Sequence, residues 1–120
     1  PTQLLSYFVR DRQRGARLGL EQAVKMQTQD TARCVGLRDR GTLEVGMKAD
    51  INIIDFEALQ LERPEIIFDL PAGGRRLCQG ARGYTATLVS GEVIMENGEY
   101  TGAVPGKLIR GLQPAPSQAA

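Results

Sequence analysis

The 120 residues include no histidine, no tryptophan, only two cysteines, and few aromatic side chains, 5% of the total. Without histidine the chain lacks the commonest general base and the commonest nitrogen ligand of zinc, so it cannot supply an imidazole-bound metal. Cys34 and Cys78 lie far apart with no CxxC spacing. Two reduced thiols packed as small apolar groups is the simplest reading, with a disulfide or a reactive thiol as the alternative. The sparse aromatics are not interleaved with arginine, which excludes a stacking platform for single-stranded nucleic acid. Fifteen basic residues face 14 acidic ones, net charge +1, leaving no global field toward nucleic acid or an anionic membrane. No apolar run is long enough to span a bilayer, and Pro1 to Arg10 lacks a leader pattern. These absences predict a soluble, cytoplasmic chain with neither nucleic-acid nor membrane partners.

What is present is ordinary globular composition, 42% hydrophobic and 24% charged, enough for one modest core. Thr2 is placed to cap a helix over Gln3 to Arg14 with an apolar face of Leu4, Leu5, Phe8 and Val9, stopped by Gly15. A second helix fits Leu20 to Gln27, with Ala23, Val24 and Leu20 facing inward and Glu21 in the first turn. Thr28 is placed to cap a third, Gln29 to Val35, ended by Gly36. The signals then change. The β-branched run Ala49 to Phe56 predicts a strand, and Tyr84–Val89, Glu92–Glu96 and Glu99–Tyr100 predict a meander turning at Ser90-Gly91 and Asn97-Gly98. Between them, residues 57–83 carry so many prolines and glycines that an excursion loop with at most one short strand, Glu65 to Phe68, is expected. Leu112 to Ala120 reads as a frayed tail. Helices first and strands later give an α+β fold. The expected division is a helical segment 1–36, a β-domain 37–111 and a flexible tail 112–120, folding as one unit.

The stretch Gly36-Leu-Arg-Asp-Arg-Gly41, then Leu43, Gly46 and Ala49-Asp-Ile-Asn-Ile-Ile-Asp55 resembles an amidohydrolase signature, GLxDRGxLxxGxxADxxxxD, in which the last barrel helices hand over to a small β-domain. Leu20 to Val24 and Thr28 to Ala32 resemble the helix pair that precedes it. Asp69-Leu-Pro-Ala-Gly-Gly-Arg-Arg76, Gly83-Tyr84, Asn97-Gly98-Glu99 and Thr101-Gly-Ala-Val-Pro-Gly106 are similar to the N-acyl-D-amino-acid deacylase branch. The resemblance covers about residues 1 to 111. One departure is Thr31, where many relatives carry a proline.

The resemblance implies a parent enzyme with a TIM barrel whose zinc is held by an HxH pair, further histidines and a carboxylate, and an aspartate that moves protons. By the same resemblance that aspartate lies just upstream of Pro1. With no histidine, no cofactor is expected in this chain and no catalysis by it alone. The family's β-domain is built from both ends of the polypeptide. A C-terminal share therefore implies uncovered strand edges, and a homodimer formed by edge pairing or helix exchange. The alternative is an autonomous small binding or scaffolding protein that retains the β-domain.

Within the chain, Asp50 and Asp55 flank a strand at odd separation and point to opposite faces, so they do not converge on one metal. Arg10, Arg14 and Arg17 follow i, i+4, i+7 spacing and, with Arg12, either grip an anion or form a solvated helix end. Gly73-Gly74-Arg75-Arg76 either forms a backbone nest closed over an anion by its arginines or is a plain loop. Arg10, Arg14, Gly73, Gly74, Arg75 and Arg76 are thus the candidate anion-binding or substrate-binding residues; no catalytic or metal-ligating residue is predicted.

Overall fold

The computed structural model describes residues 1–116. Its first element is a π-helix, Leu4–Asp11, closed by an i to i+5 bond in which the Arg12 amide donates to Tyr7 O at 2.8 Å. It stops short of the expected Arg14 because Arg12 turns extended and its guanidinium bonds back to Arg14 O at 2.6 Å. The Leu18 amide then reaches Phe8 O at 3.0 Å, laying the following segment alongside the helix. Thr2 does not cap. Its hydroxyl is 2.8 Å from that of Tyr84, in a strand far along the chain.

Helices α1 (Leu20–Gln27) and α2 (Gln29–Cys34) match expectation closely. Ala23 is fully buried, but Leu20 and Val24 are exposed, so α1 buries a narrower stripe than its sequence suggested. Thr28 makes no cap either; its hydroxyl donates back to Val24 O at 2.9 Å, in the kink between the helices. α2 ends in a Schellman motif, the Gly36 amide on Arg33 O and the Leu37 amide on Ala32 O. Gly36 has φ +77, and a Cβ there would meet Leu112 at 2.1 Å.

Eight strands follow: β1 (Ile51–Ile54), β2 (Gln60–Leu61), β3 (Glu65–Leu70), β4 (Gly74–Cys78), β5 (Ala81–Arg82), β6 (Tyr84–Val89), β7 (Glu92–Glu96) and β8 (Glu99–Tyr100). Strands β1, β6, β7 and β8 form an antiparallel sheet in that order. Both tight turns place their two central residues at positive φ, Ser90 with Gly91 and Asn97 with Gly98, the type I′ geometry that suits the twist of a hairpin. The fold is α+β, helices followed by small antiparallel sheets.

Two expectations need correction. Residues 57–83 are not a loop with a single short strand but a folded arm: β2 pairs with β5 at its base, and β3 with β4 beyond. The Pro71–Gly73 turn, with its punctuating residues, makes the hairpin tip instead of breaking regular structure. The expected fraying from Leu112 onward also fails over its first part. Leu37 and Gln113 bridge in parallel, with the Arg38 amide on Gln113 O at 2.9 Å and the Gln113 amide on Gly36 O at 3.0 Å. The end of that tail, 117–120, lies outside the described residues.

The core is small: Leu5, Ala23 and Leu59, flanked by Leu4, Val9, Leu18, Ile54, Phe56 and Tyr84. The accessible surface is 9246 Å², whereas a compact chain of this mass exposes about 6,400 Å². The radius of gyration is 16.9 Å against about 13.6 Å for a compact fold. Much apolar surface that a self-contained domain would bury is therefore open.

Candidate functional site

Arg10 projects from the N-terminal helix onto the strand β1 to β2 connection. Nη1 donates to Phe56 O and, at 3.0 Å, to Glu57 O; Nη2 donates to Leu59 O at 2.8 Å. The same guanidinium makes a two-pronged pair with Asp11 at 2.7 and 3.0 Å and sits 5.7 Å from the Phe56 ring centroid. The pairing raises the Arg10 pKa and lowers that of Asp11, in both cases chiefly through their mutual hydrogen bond. All of its donor nitrogens are engaged by protein oxygens, so Arg10 ties helix to β-domain. Arg14 contributes its carbonyl to Arg12 and shares no hydrogen bond with Arg10.

The second arginine centre is Arg40. It forks onto Asp39 at 2.9 and 3.0 Å and reaches Asp50 at 2.8 Å. The other Asp50 oxygen accepts the Ser90 amide at 2.9 Å, and the Gly91 amide bonds to Ala49 O at 2.9 Å. The Arg40 hydrogen bond holds the Asp39 carboxyl below the ordinary aspartate range, and Asp39 in turn raises Arg40. The Asp-Arg-Gly and Ala-Asp parts of the signature are thus one lock joining the loop after α2, the start of β1 and the β6–β7 turn. The sequence showed them only as parts of a signature and did not reveal the ion pair. A bidentate arginine between two aspartates ten or so residues apart was the signal available.

At the arm tip the candidate nest does not form. Pro71 has no amide, and the Gly74 amide already bonds to Pro71 O. Arg76 is held by Asp69 through two hydrogen bonds, one of 2.8 Å; this lowers the Asp69 pKa and raises that of Arg76. Arg75 is exposed with no hydrogen-bond partner among the described residues. Arg10 and Arg14 make no hydrogen bond with the Gly73 to Arg76 tip, so the six candidates fall into separate groups.

Two open clefts stand out among the described residues. One, of about 670 Å³, lies between the end of α2 and residues 112–114, with Arg33, Cys34 and Arg38 on its wall. The other, of about 730 Å³, borders β5 and β6, with Asp55, Glu62, Arg82, Tyr84 and Asn97 among its lining. None of the six candidates lines either cleft.

The residues present do not fit a zinc site. Among the described residues no group of three or more histidine, cysteine, aspartate or glutamate side chains is placed to hold a metal. Both thiols are free. Asp11, Asp39, Asp50 and Asp69 are paired with arginines, and Asp55 accepts the Glu57 and Ala58 amides at 3.1 Å. No helix among them is long and apolar enough to cross a membrane.

Gly83 is the residue whose role only the geometry reveals. At φ +94 its missing Cβ leaves room for the Leu59 backbone, whose N and Cα would lie 2.7 and 2.6 Å from it. Leu59 is fully buried, and Gly83 O accepts the Asp55 amide at 2.8 Å.

No curated protein and no solved structure matches the chain. A model of the amidohydrolase family matches residues 3–95, spanning all three N-terminal helices, the Arg40 lock, the arm and most of the four-stranded sheet. The chain belongs to the amidohydrolase family.

Proposed function

We propose that this chain is the C-terminal segment of a metal-dependent amidohydrolase that cleaves the amide of N-acyl-D-amino acids, and that it is not catalytic alone. The observation that carries this reading is the use of its charged motif residues. Arg10, Arg40, Asp39 and Asp50 are engaged in joining the helices, the connecting loop and the sheet. That suits a part which supports an active site made elsewhere. In the parent, zinc would polarise the amide carbonyl and activate water; none of the residues described here offers it a ligand set. The deacylase branch rests on the Asp69 to Arg76 and Thr101 to Gly106 stretches, both quoted from the sequence alone. Residues 1–36 are read as the helical end of the barrel, 37–111 as the C-terminal share of the β-domain, and the setting as cytoplasmic.

Two measurements test this. The 120-residue chain, assayed with N-acetyl-D-amino acids and added zinc, is expected to release no free amino acid; turnover would refute the non-catalytic reading. The reading frame upstream of the Pro1 codon is expected to run into an aspartate and HxH-bearing segments. A start codon immediately before Pro1 would instead favour the autonomous binding protein, a reading that the large open apolar surface also suits.

A further inference from the structure

The turn between β7 and β8 carries chemistry of its own. Asn97 and Gly98 are its two central residues, both at positive φ, and every residue from Glu96 to Tyr100 is exposed. Among the described residues, nothing beyond its chain neighbours lies within 4 Å of where a Gly98 Cβ would stand. Neither the Gly98 amide nor the Asn97 side chain makes a hydrogen bond among them. Strand β8 ends the sheet and pairs with β7 only at Met95 with Tyr100 and Glu96 with Glu99. The second pair sets two carboxylates opposite each other beside the turn, which weakens the pairing. Thr101 docks the far end of β8, its amide on Ile94 O at 3.0 Å and its hydroxyl on Val93 O at 2.7 Å. A short edge strand closed across like charges opens at small cost.

We propose that Asn97 is a site of spontaneous deamidation and isomerisation, gated by opening of this hairpin, and that the reaction frees β8 from the sheet. In the closed type I′ turn the Gly98 nitrogen lies across the Asn97 Cα–C bond from Cβ, so the reaction waits for the turn to open. Once open, the Gly98 nitrogen gives its proton to solvent base and bonds to the Asn97 Cγ. The Cγ–Nδ2 bond breaks, ammonia leaves, and a five-membered imide closes. Glycine leaves the approach clear because it has no Cβ. Water then adds to one imide carbonyl: breaking the bond from Cγ to the Gly98 nitrogen gives aspartate, and breaking the bond from the main-chain carbonyl carbon gives isoaspartate. The net change is amide plus water to carboxylate plus ammonia. The isoaspartyl form lengthens the backbone within a two-residue turn, and either form adds a carboxylate between Glu96 and Glu99. Strand β7 then becomes the sheet edge. The other asparagine, Asn52, is an internal control: it lies within β1, accepts the Thr87 hydroxyl at 2.8 Å and is followed by branched Ile53. The proposal does not depend on the parent enzyme's substrate.

Incubating the full chain for weeks at mildly alkaline pH and body temperature, followed by peptide mapping with mass spectrometry, tests it. The expected result is the mass shift of an amide converted to a carboxylate at Asn97, with isoaspartate detected by methyltransferase labelling. Asn52 should react at least about tenfold more slowly. The rate follows the open fraction of the hairpin. Glu99→Lys, which makes the opposed pair attractive, should therefore slow the reaction about threefold. Thr101→Val, which removes the hydroxyl bond to Val93 O, should speed it about threefold. Both positions are exposed, so circular dichroism should be unaltered. In the modified chain, hydrogen exchange should show lost protection at the Thr101 amide. The proposal is overturned if Asn97 reacts no faster than Asn52, if its rate ignores both substitutions, or if the Thr101 amide stays as protected after the reaction as before.

Discussion

The junction between the helices and the sheet contrasts with the arm only a few residues away. In the junction, Leu5 and Ala23 from the helices meet Leu59 from the β1–β2 connection beside Gly83 and Tyr84. Partners far apart in sequence exclude water from a shared centre. The arm pairs only neighbours in sequence and keeps both faces open. The first arrangement holds the monomer together. The second has strand order without burial, and strand pairing without an apolar core is marginal in water. Here stability and available surface are separated into different parts of one chain.

The sharpest test of that contrast is a pair of opposite glycine exchanges. Gly83→Ala puts a Cβ into the Leu59 backbone at positive φ and should cost about 4 kcal/mol, enough to unfold a marginal domain. Urea titration followed by circular dichroism measures it, and a loss below the level of a surface change would break the contrast. Leu59→Ala, at a fully buried position, should cost about 3 kcal/mol, read as a lower urea midpoint.

The Arg40 lock predicts a pH effect. Arg40 depresses the folded-state pKa of Asp39, so the stabilisation is complete above the unfolded value of about 3.9 and is lost as pH falls through the folded value. Thermal melts of wild type should therefore decline in that acidic window, and Asp39→Asn should reduce the decline. An unchanged acid profile would mean that Asp39 is not held as described.

The smallest effect, and of opposite sign to Gly83→Ala, belongs to the arm tip. Ala72 sits at φ +58, where a side chain is strained and glycine is not. Ala72→Gly should stabilise by about 0.5 kcal/mol, seen as a slightly higher urea midpoint. If instead it destabilised as much as Leu59→Ala, the arm would be part of the core.

Legibility followed the same division. Ser90-Gly91, Asn97-Gly98 and Gly36 declared their turns and helix end because positive φ is a local demand that few residues meet. The arm was misread because its prolines and glycines suggested breakage, when they build the turn of a hairpin. Thr2 and Thr28 looked like caps, yet their hydroxyls bond to Tyr84 and Val24, since a remote or preceding acceptor competes with the helix amides. Among the candidate site residues, Arg10 and Arg76 are held by partners in the folded chain, while the Arg75 side chain has no hydrogen-bond partner among the described residues.

The sequence by itself determined the helices-then-strands order, the tight turns, the amidohydrolase resemblance and the absence of any imidazole for catalysis. These depend on residue type and short-range spacing, which a linear chain displays. Only the tertiary structure decided that Arg10 clamps helix to sheet, that Arg40 bridges Asp39 and Asp50 beside the Ser90 turn, and that Gly83 must stay bare beneath Leu59. Each is a contact between residues brought together by folding, and the periodicity of neither segment specifies where the other will lie.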